Sequence, residues 1–413
     1  MSIKTLKNST RKISKMKNFI FISPHFPDSF YRFCVALKKN GFRVLGIGDD
    51  PYENLRPELK DALTEYYVCY DMDNFDNEVK AVKYFEDKYG HIDYLESNNE
   101  YWLDKDAKLR EIFGITTGPM GNEIDFYNHK SLMKIGYMKA GAKVAKYILV
   151  STKEELEKFI QEVDYPVFIK PDHGVGAEGT FKIEKPADID DFFANCSKNT
   201  SYICEQFISG DIVSFDGICN SKSEVVFCAS NYFPPSVADI VHEKKDMFYY
   251  TFPHPAKDLE EIGRKVIKAF EVKQRFFHLE FFRLTKPAKG LGEIGDIVAL
   301  ETNMRPGGGY TPDLINFANS NDVYQIYADV IAFDENRQKD IYEHYYAPVA
   351  SRRDEFEYVH SDDELLEKYK NQICNHGRYA KIFSDAMGDR FFMAKFKTLE
   401  EVEEFRDYSE ARK

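Results

Sequence analysis

Apolar residues recur along this chain with two different periods, and the switches between them mark out its elements. Residues 19–23 form a short unbroken apolar run, as a buried strand requires, and residues 42–48 repeat the pattern. Between them Phe30, Phe33, Cys34 and Leu37 fall at helical spacing and Gly41 closes the run, which predicts a helix over 29–40. Further strands are predicted at 66–70 and 92–95, with a helix at 77–89 between them. Strand–helix–strand order of this kind predicts a small parallel α/β unit. Its first turn, Pro24-His25-Phe26-Pro27-Asp28, lacks the GxGxxG spacing that a dinucleotide site needs. A helix at 101–113, then Gly114 and Thr116-Thr117-Gly118-Pro119, predict a domain junction near 117.

The middle of the chain mixes both periods. Lys130 opens a helix over 131–139 that ends at Gly141. A strand at 165–171 carries Lys170 near its end. Gly174, Gly176 and Gly179 follow it, and then a β-like run at 180–183. No helix succeeds the glycines, so they read as a strand–loop–strand flap or a plain hairpin turn. A helix at 188–196 leads to a strand and turn at 202–211 and to strands at 212–219 and 224–230. An amphipathic helix at 258–270 precedes strands at 276–284 and from 298 onward. The aromatic, proline-bearing stretch 231–254 lines a pocket or covers the core. In the tail, helices are predicted at 362–371 and 399–408, and strands at 379–383 and 391–396.

The last two strands before the tail carry unusual polarity. Period-two alternation puts Ala299, Glu301, Asn303 and Arg305 on one face, and His278, Glu280 and Phe282 on one face of the strand before it. Antiparallel pairing across the glycine-bearing link 285–296 would bring Glu280 beside Glu301 and Asn303. Two carboxylates and an amide oxygen suit Mg²⁺. Arg305 suits a phosphate or a carboxylate, which it grips with two parallel hydrogen bonds. Three glycines, then Thr311 as N-cap, Pro312 and Asp313, predict a helix N-terminus that favours anions. The glycine flap can lay N–H groups over phosphates while Lys170 pairs with one. The main chain of 205–208 can read an adenine edge and Asp211 can accept from ribose hydroxyls. Residues 96–100 follow a strand end and either bind substrate or cap the next helix.

Composition narrows the partners. A net charge of −13 argues against nucleic acid or an anionic membrane. Seven cysteines, an odd number without a CxxC pair, predict reduced thiols and a cytoplasmic protein. No apolar run approaches the roughly 20 residues that span a bilayer. Residues 1–17 carry only basic charge and no apolar core. They read as a disordered leader, with Met16 as a second start; a nucleic-acid tail or a transit segment is the alternative.

In chain order, VFIKP with DHGVGAEGT, CEQFISGD, HLEFF and LETNMRPGGG resemble the motifs of the ATP-grasp superfamily. The match is to its carboxylate–amine ligases, which share a fold with biotin carboxylase, and it runs over positions 130–320. The resemblance implies an α/β and α+β chain. A Rossmann-like pre-ATP-grasp domain would span 18–117 and a two-lobed ATP-grasp domain 118–333, with its flap lobe at 145–207. A C-terminal α+β lid, or an oligomerisation module of a homodimer, would span 334–413. Lys130, Lys170 and the loop Gly174, Gly176, Gly179 would contact ATP phosphates. Glu205, Gln206, Phe207 and Ile208 would form the adenine hinge and Asp211 would hold ribose. Glu280, Glu301 and Asn303 would hold one or two Mg²⁺, or Mn²⁺ in their place. Arg305 would be catalytic, and Glu100, Gly307 and Gly308 would meet substrate. Ala177 stands where small hydroxyl residues are common in the family, and His173 and Glu178 also depart from its flap pattern. The implied reaction phosphorylates a small carboxylate to an acyl phosphate and joins it to an amine. A carboxylase, a small-molecule kinase and a non-catalytic ATP-binding regulator are the alternatives.

Overall fold

The computed structural model describes residues 16–174, 179–233, 245–338 and 343–413. The first sheet holds β1 (Asn18–Ile22), β2 (Arg43–Gly48), β3 (Glu65–Val68) and β4 (Tyr94–Glu96), all parallel in the order β3-β2-β1-β4. Parallel strands need cover on both faces, which is why their sequences are continuously apolar. Ile20, Ile22, Leu45 and Ile47 pack with Val82 and Phe85 on one side. Phe19 and Phe21 pack with Phe33 on the other. Phe33 also meets Phe276, Tyr324 and Tyr327 edge-on, which joins this sheet to the large one described below.

The second sheet is antiparallel: β5 (Tyr147–Leu149), β6 (Val167–Pro171), β7 (Phe181–Ile183) and β8 (Tyr202–Gln206), in the order β5-β8-β6-β7. Val167, Ile169 and Cys204 bury against Phe159, Ile160 and Phe192 of helices Lys153–Val163 and Pro186–Asn195. Alternation then puts Phe168, Lys170 and Glu205 on the opposite face.

The third sheet has eight strands: β9 (Gly210–Cys219), β10 (Val225–Phe233), β11 (Phe248–Thr251), β12 (Arg275–Leu284), β13 (Ile297–Asn303), β14 (Ala347–Arg352), β15 (Ile373–Arg378) and β16 (Arg390–Ala394). Their order is β13-β12-β9-β10-β11-β14-β16-β15. Helices Lys130–Lys139 and Lys257–Ala269 cover one face of its first strands through Tyr137, Leu259 and Val266 against Phe215, Phe277 and Phe281. The tail adds three strands to this sheet, because β14 pairs with β11. The strand expected at 379–383 is instead a single 3₁₀ turn, Lys381–Phe383, and β15 ends one residue earlier at Arg378. Tyr379 is drawn under Tyr310 and Phe391, while Ile382 is left exposed. β14 was not anticipated, because Pro348 and small residues hide its pattern.

Candidate active site

β12 and β13 pair as their sequences suggest: Glu280 lies opposite Glu301, and His278 opposite Asn303. One feature of the alternation fails. The register jumps so that Phe281 opposes Ala299, leaving Leu300 as an extra residue on β13. The bulge turns Ala299 onto the helix-covered face with Phe281, instead of beside Glu301. It also sets Val298 opposite Phe282, in an apolar group with Ala145, Ile208 and Leu284. Along β12 one face therefore runs from His278 and Glu280 to Phe282 and Leu284, from a polar end to an apolar end.

The polar end is densely charged. Asp216 accepts from His278 Nδ1 at 2.7 Å, and Glu280 Oε1 lies 3.0 Å from His278 Nε2. Burial alone would lower the imidazole pKa, but Asp216 and Glu280 outweigh it and raise it to about 10. Glu280 is held below the usual carboxylate range: burial pushes it up, and His278 more than reverses that. Glu301 goes the other way, raised by burial and then by Glu280 itself. Lys130 Nζ stands 3.8 Å from Glu301, and Tyr137 donates to the Glu301 carbonyl at 2.6 Å. Two adjacent carboxylates that repel one another, with the buried amide of Asn303 diagonal to one of them, fit a hard divalent cation. The donor set is two acids and an amide. Among the described residues no group of three or more His, Cys, Asp or Glu has a metal-holding arrangement.

The second sheet faces this platform with cations. Lys170 bonds Glu205 at 2.6 Å, and Lys134, one turn beyond Lys130 on the same helix, also pairs with Glu205. Burial would raise the Glu205 carboxyl, but Lys134 and then Lys170 pull it down to about 2. Burial likewise opposes the charge on Lys170, and Glu205 and Glu301 restore it, so its pKa is raised. The two sheets thus approach closely enough for Lys170 to feel the carboxylates of β12 and β13. Lys130 Nζ donates to the Gly174 carbonyl at 3.0 Å. Gly174 and Gly179 take φ of +124° and +73°, conformations that favour glycine at both ends of the loop. Gly176, Ala177 and Glu178 lie outside the described residues.

Other expected residues are placed differently. The Gln206 N–H donates to Lys146 O at 2.9 Å; Phe207 and Ile208 lie beyond the end of β8, and Ile208 belongs to the apolar group. The Glu205 side chain is an ion-pair node between Lys134 and Lys170. Asp211 alternates onto the face of Val213, opposite to Ser214 and Glu280, and accepts from Tyr232 Oη at 2.9 Å. Asn99, not Glu100, caps the helical turn after β4, while Glu96 is buried between Arg110 and Arg275. Glu100 instead bonds Arg305 Nε at 3.0 Å. Gly307 packs so tightly that a Cβ would lie 2.9 Å from Thr311, whereas Gly308 faces open space. Thr311 is not the helix cap; its hydroxyl donates to Gly308 O at 2.7 Å, and Tyr310 precedes the helix Thr311–Asn319.

Lys134 and Asp216 were missed in the sequence. Lys134 had a usable signal, its i, i+4 spacing from Lys130. Asp216 alternates with Ser214 inside an apolar strand, which is a weaker one.

Residues 136–306 match the model of the ATP-grasp domain family. The chain carries an ATP-grasp domain. Lys130 and Glu100 lie ahead of the matched segment. Over 230 residues the chain is 24% identical to the L-arginine-specific L-amino acid ligase of Bacillus subtilis, covering 54% of this chain and 53% of that one. The chain thus matches about half the length of that curated relative. Its fold is similar to the L-amino acid ligase of Bacillus licheniformis, with TM-score 0.69 and 15% identity over 94% of this chain and 96% of that one. It is equally similar to the biotin carboxylase domain of the Hydrogenobacter thermophilus 2-oxoglutarate carboxylase in complex with MgADP, ADP and bicarbonate. There the TM-score is 0.69 and the identity 14%, over 97% of this chain and 91% of that one. At these identities both likenesses show the fold alone. Among the described residues no helix is long and apolar enough to cross a membrane.

Proposed function

We propose that this protein is an ATP-dependent carboxylate–amine ligase whose carboxylate substrate is an amino acid. The observation that carries this reading is the half-buried Glu280–Glu301 pair facing Lys130 and Lys170. Carboxylates that repel one another opposite cations form a site for a cation and a polyphosphate together. Adenine fits the apolar group of Ile208, Leu284 and Val298, beside the main chain of Phe207 and Ile208. Lys130 and Lys170 then meet phosphate oxygens, and Gly174 and Gly179 let the loop approach them.

Glu280, Glu301 and Asn303 would hold Mg²⁺ or Mn²⁺, which when bound supplies the charge that offsets repulsion between phosphate and carboxylate. The chain's own part is placement. Arg305 orients the attacking carboxylate toward the γ-phosphoryl group, and His278, fixed by Asp216, fixes Glu280. The Glu100–Arg305 pair supports an amino acid as that carboxylate. A zwitterion can insert between the two side chains, giving its carboxylate to Arg305 and its ammonium to Glu100. Transfer of the phosphoryl group gives an acyl phosphate and ADP; an amine then displaces phosphate and loses a proton.

The test is ADP and phosphate release across pairs of amino acids and amines. The reading expects release that needs both a carboxylate and an amine. Release without an amine, accompanied by a stable phosphorylated product, would make the protein a kinase instead.

A further inference from the structure

The large sheet has a second concavity, on the face turned away from Glu280. Helices Lys257–Ala269 and Leu399–Glu410 both pack on that face and leave a cleft between them. Its volume is about 490 Å³, in the range of small-molecule sites. Tyr232, Tyr250 and Phe252 form an aromatic wall, with ring centroids 5.1 Å apart for Tyr232–Tyr250 and for Tyr250–Phe252. Leu259 and Val402 contribute aliphatic surface. Ser230 of β10 also lines the cleft; it is 0% exposed, and its Oγ has no hydrogen-bond partner among the described residues. A buried hydroxyl without a partner is costly and marks a place for a polar atom. Glu403 and Arg406 sit a helical turn apart at the rim, and their charges reach the hydroxyls of Tyr250 and Tyr232.

We infer that this cleft binds an aromatic α-amino acid whose ring carries a polar atom, the class of tyrosine and tryptophan. The ring stacks edge-to-face within the aromatic wall. Its O–H or N–H meets Ser230 Oγ, its carboxylate meets Arg406 and its ammonium meets Glu403. Arg406 now bonds Asp407 at 2.9 Å on the exposed helix surface, a contact it can exchange. The cleft backs onto the active site. Ser230 adjoins Asn231, whose amide donates to Ser214 at 3.0 Å and Asp216 at 2.8 Å on the opposite face. Asp216 in turn holds His278, so the cleft lies one strand behind the His278–Glu280 contact.

Binding here needs no step of the proposed reaction, so it is measured on the full chain without ATP. Equilibrium dialysis with L-tyrosine, L-tryptophan and L-phenylalanine should give saturable binding, at least tenfold tighter for the first two. Ser230→Ala should erase that preference. Ser230→Leu should fill the floor and abolish binding, and Arg406→Ala, on the surface, should weaken binding about tenfold without changing the melting temperature. Arg305→Ala should bind as the wild type does. Absence of saturable binding by the wild type would overturn the inference, as would binding that survives both Ser230→Leu and Arg406→Ala. Loss of binding in a folded Arg305→Ala protein would move the ligand to the active site and overturn it equally.

Discussion

Glu280 and Glu301 are direct cross-strand partners, two carboxylates side by side on one face of a sheet. Like charges directly opposite one another destabilise a strand pair. Glu301→Gln removes this repulsion but also takes the neighbouring carboxylate charge from Lys130. The two effects oppose each other, so the melting temperature of the ligand-free protein should hold nearly steady. The stabilisation given by Mg²⁺ with ADP should disappear. Differential scanning fluorimetry with and without MgADP reads both quantities.

Glu205 should behave in the opposite way. It is the buried counter-charge of Lys134 and Lys170, so Glu205→Gln leaves two cations uncompensated. Breaking a buried pair in this way costs about 3–5 kcal/mol. Denaturant melts of the ligand-free protein should show that loss. The sign with pH follows from a folded-state pKa of about 2, below the unfolded value. The Glu205 contribution is complete above about pH 4.3 and is lost as pH falls toward 2. Glu205→Gln should therefore flatten the acid limb of the stability curve.

Much of this site was legible in the chain, because strands advertise their faces. His278, Glu280, Glu301 and Asn303 meet as alternation and antiparallel pairing require. The bulge at Leu300 was not legible, since nothing in the residues themselves marks which strand takes the extra one. It moved Ala299 to the helix-covered face. The face that Asp211 takes was not legible either: it is set by where β9 begins, and a one-residue shift reverses it. Glu205 was read as a main-chain position, and its true partners lie on two other elements far away in the sequence. In the tail, helices Asp362–Lys368 and Leu399–Glu410 were visible from their spacing, but the joining of β14 to β11 is a long-range pairing that no local pattern reports.

Asp106 gives a pH dependence of the other sign. Burial and then Glu96 raise its carboxyl to about 8, and Ser97 Oγ donates to its Oδ2 at 2.6 Å. Its folded-state pKa lies above the unfolded one, so the folded chain holds a proton that the unfolded chain releases. Stability should fall as pH rises from about 4 to about 8 and level off beyond. Asp106→Asn should remove that slope. Urea titrations at pH 5, 7 and 9 would reveal it.

Gly136 fixes the helix that carries Lys130 and Lys134. A Cβ there would lie 2.3 Å from the Phe270 ring. Gly136→Ala should cost about 1–3 kcal/mol through overpacking and should weaken ATP binding by tilting both lysines. Adding Phe270→Leu should recover part of both losses, measured by calorimetry with ATP.

The central claim is that the carboxylate of an amino acid attacks the γ-phosphoryl group of ATP at Arg305, opposite Glu280 and Glu301. Its most direct test is turnover with an ¹⁸O-labelled carboxylate substrate, followed by mass analysis of the phosphate released. The account predicts one ¹⁸O in each phosphate, transferred when the amine breaks the acyl–oxygen bond, and none from Glu301→Gln because it does not turn over. Turnover that yields unlabelled phosphate would contradict it.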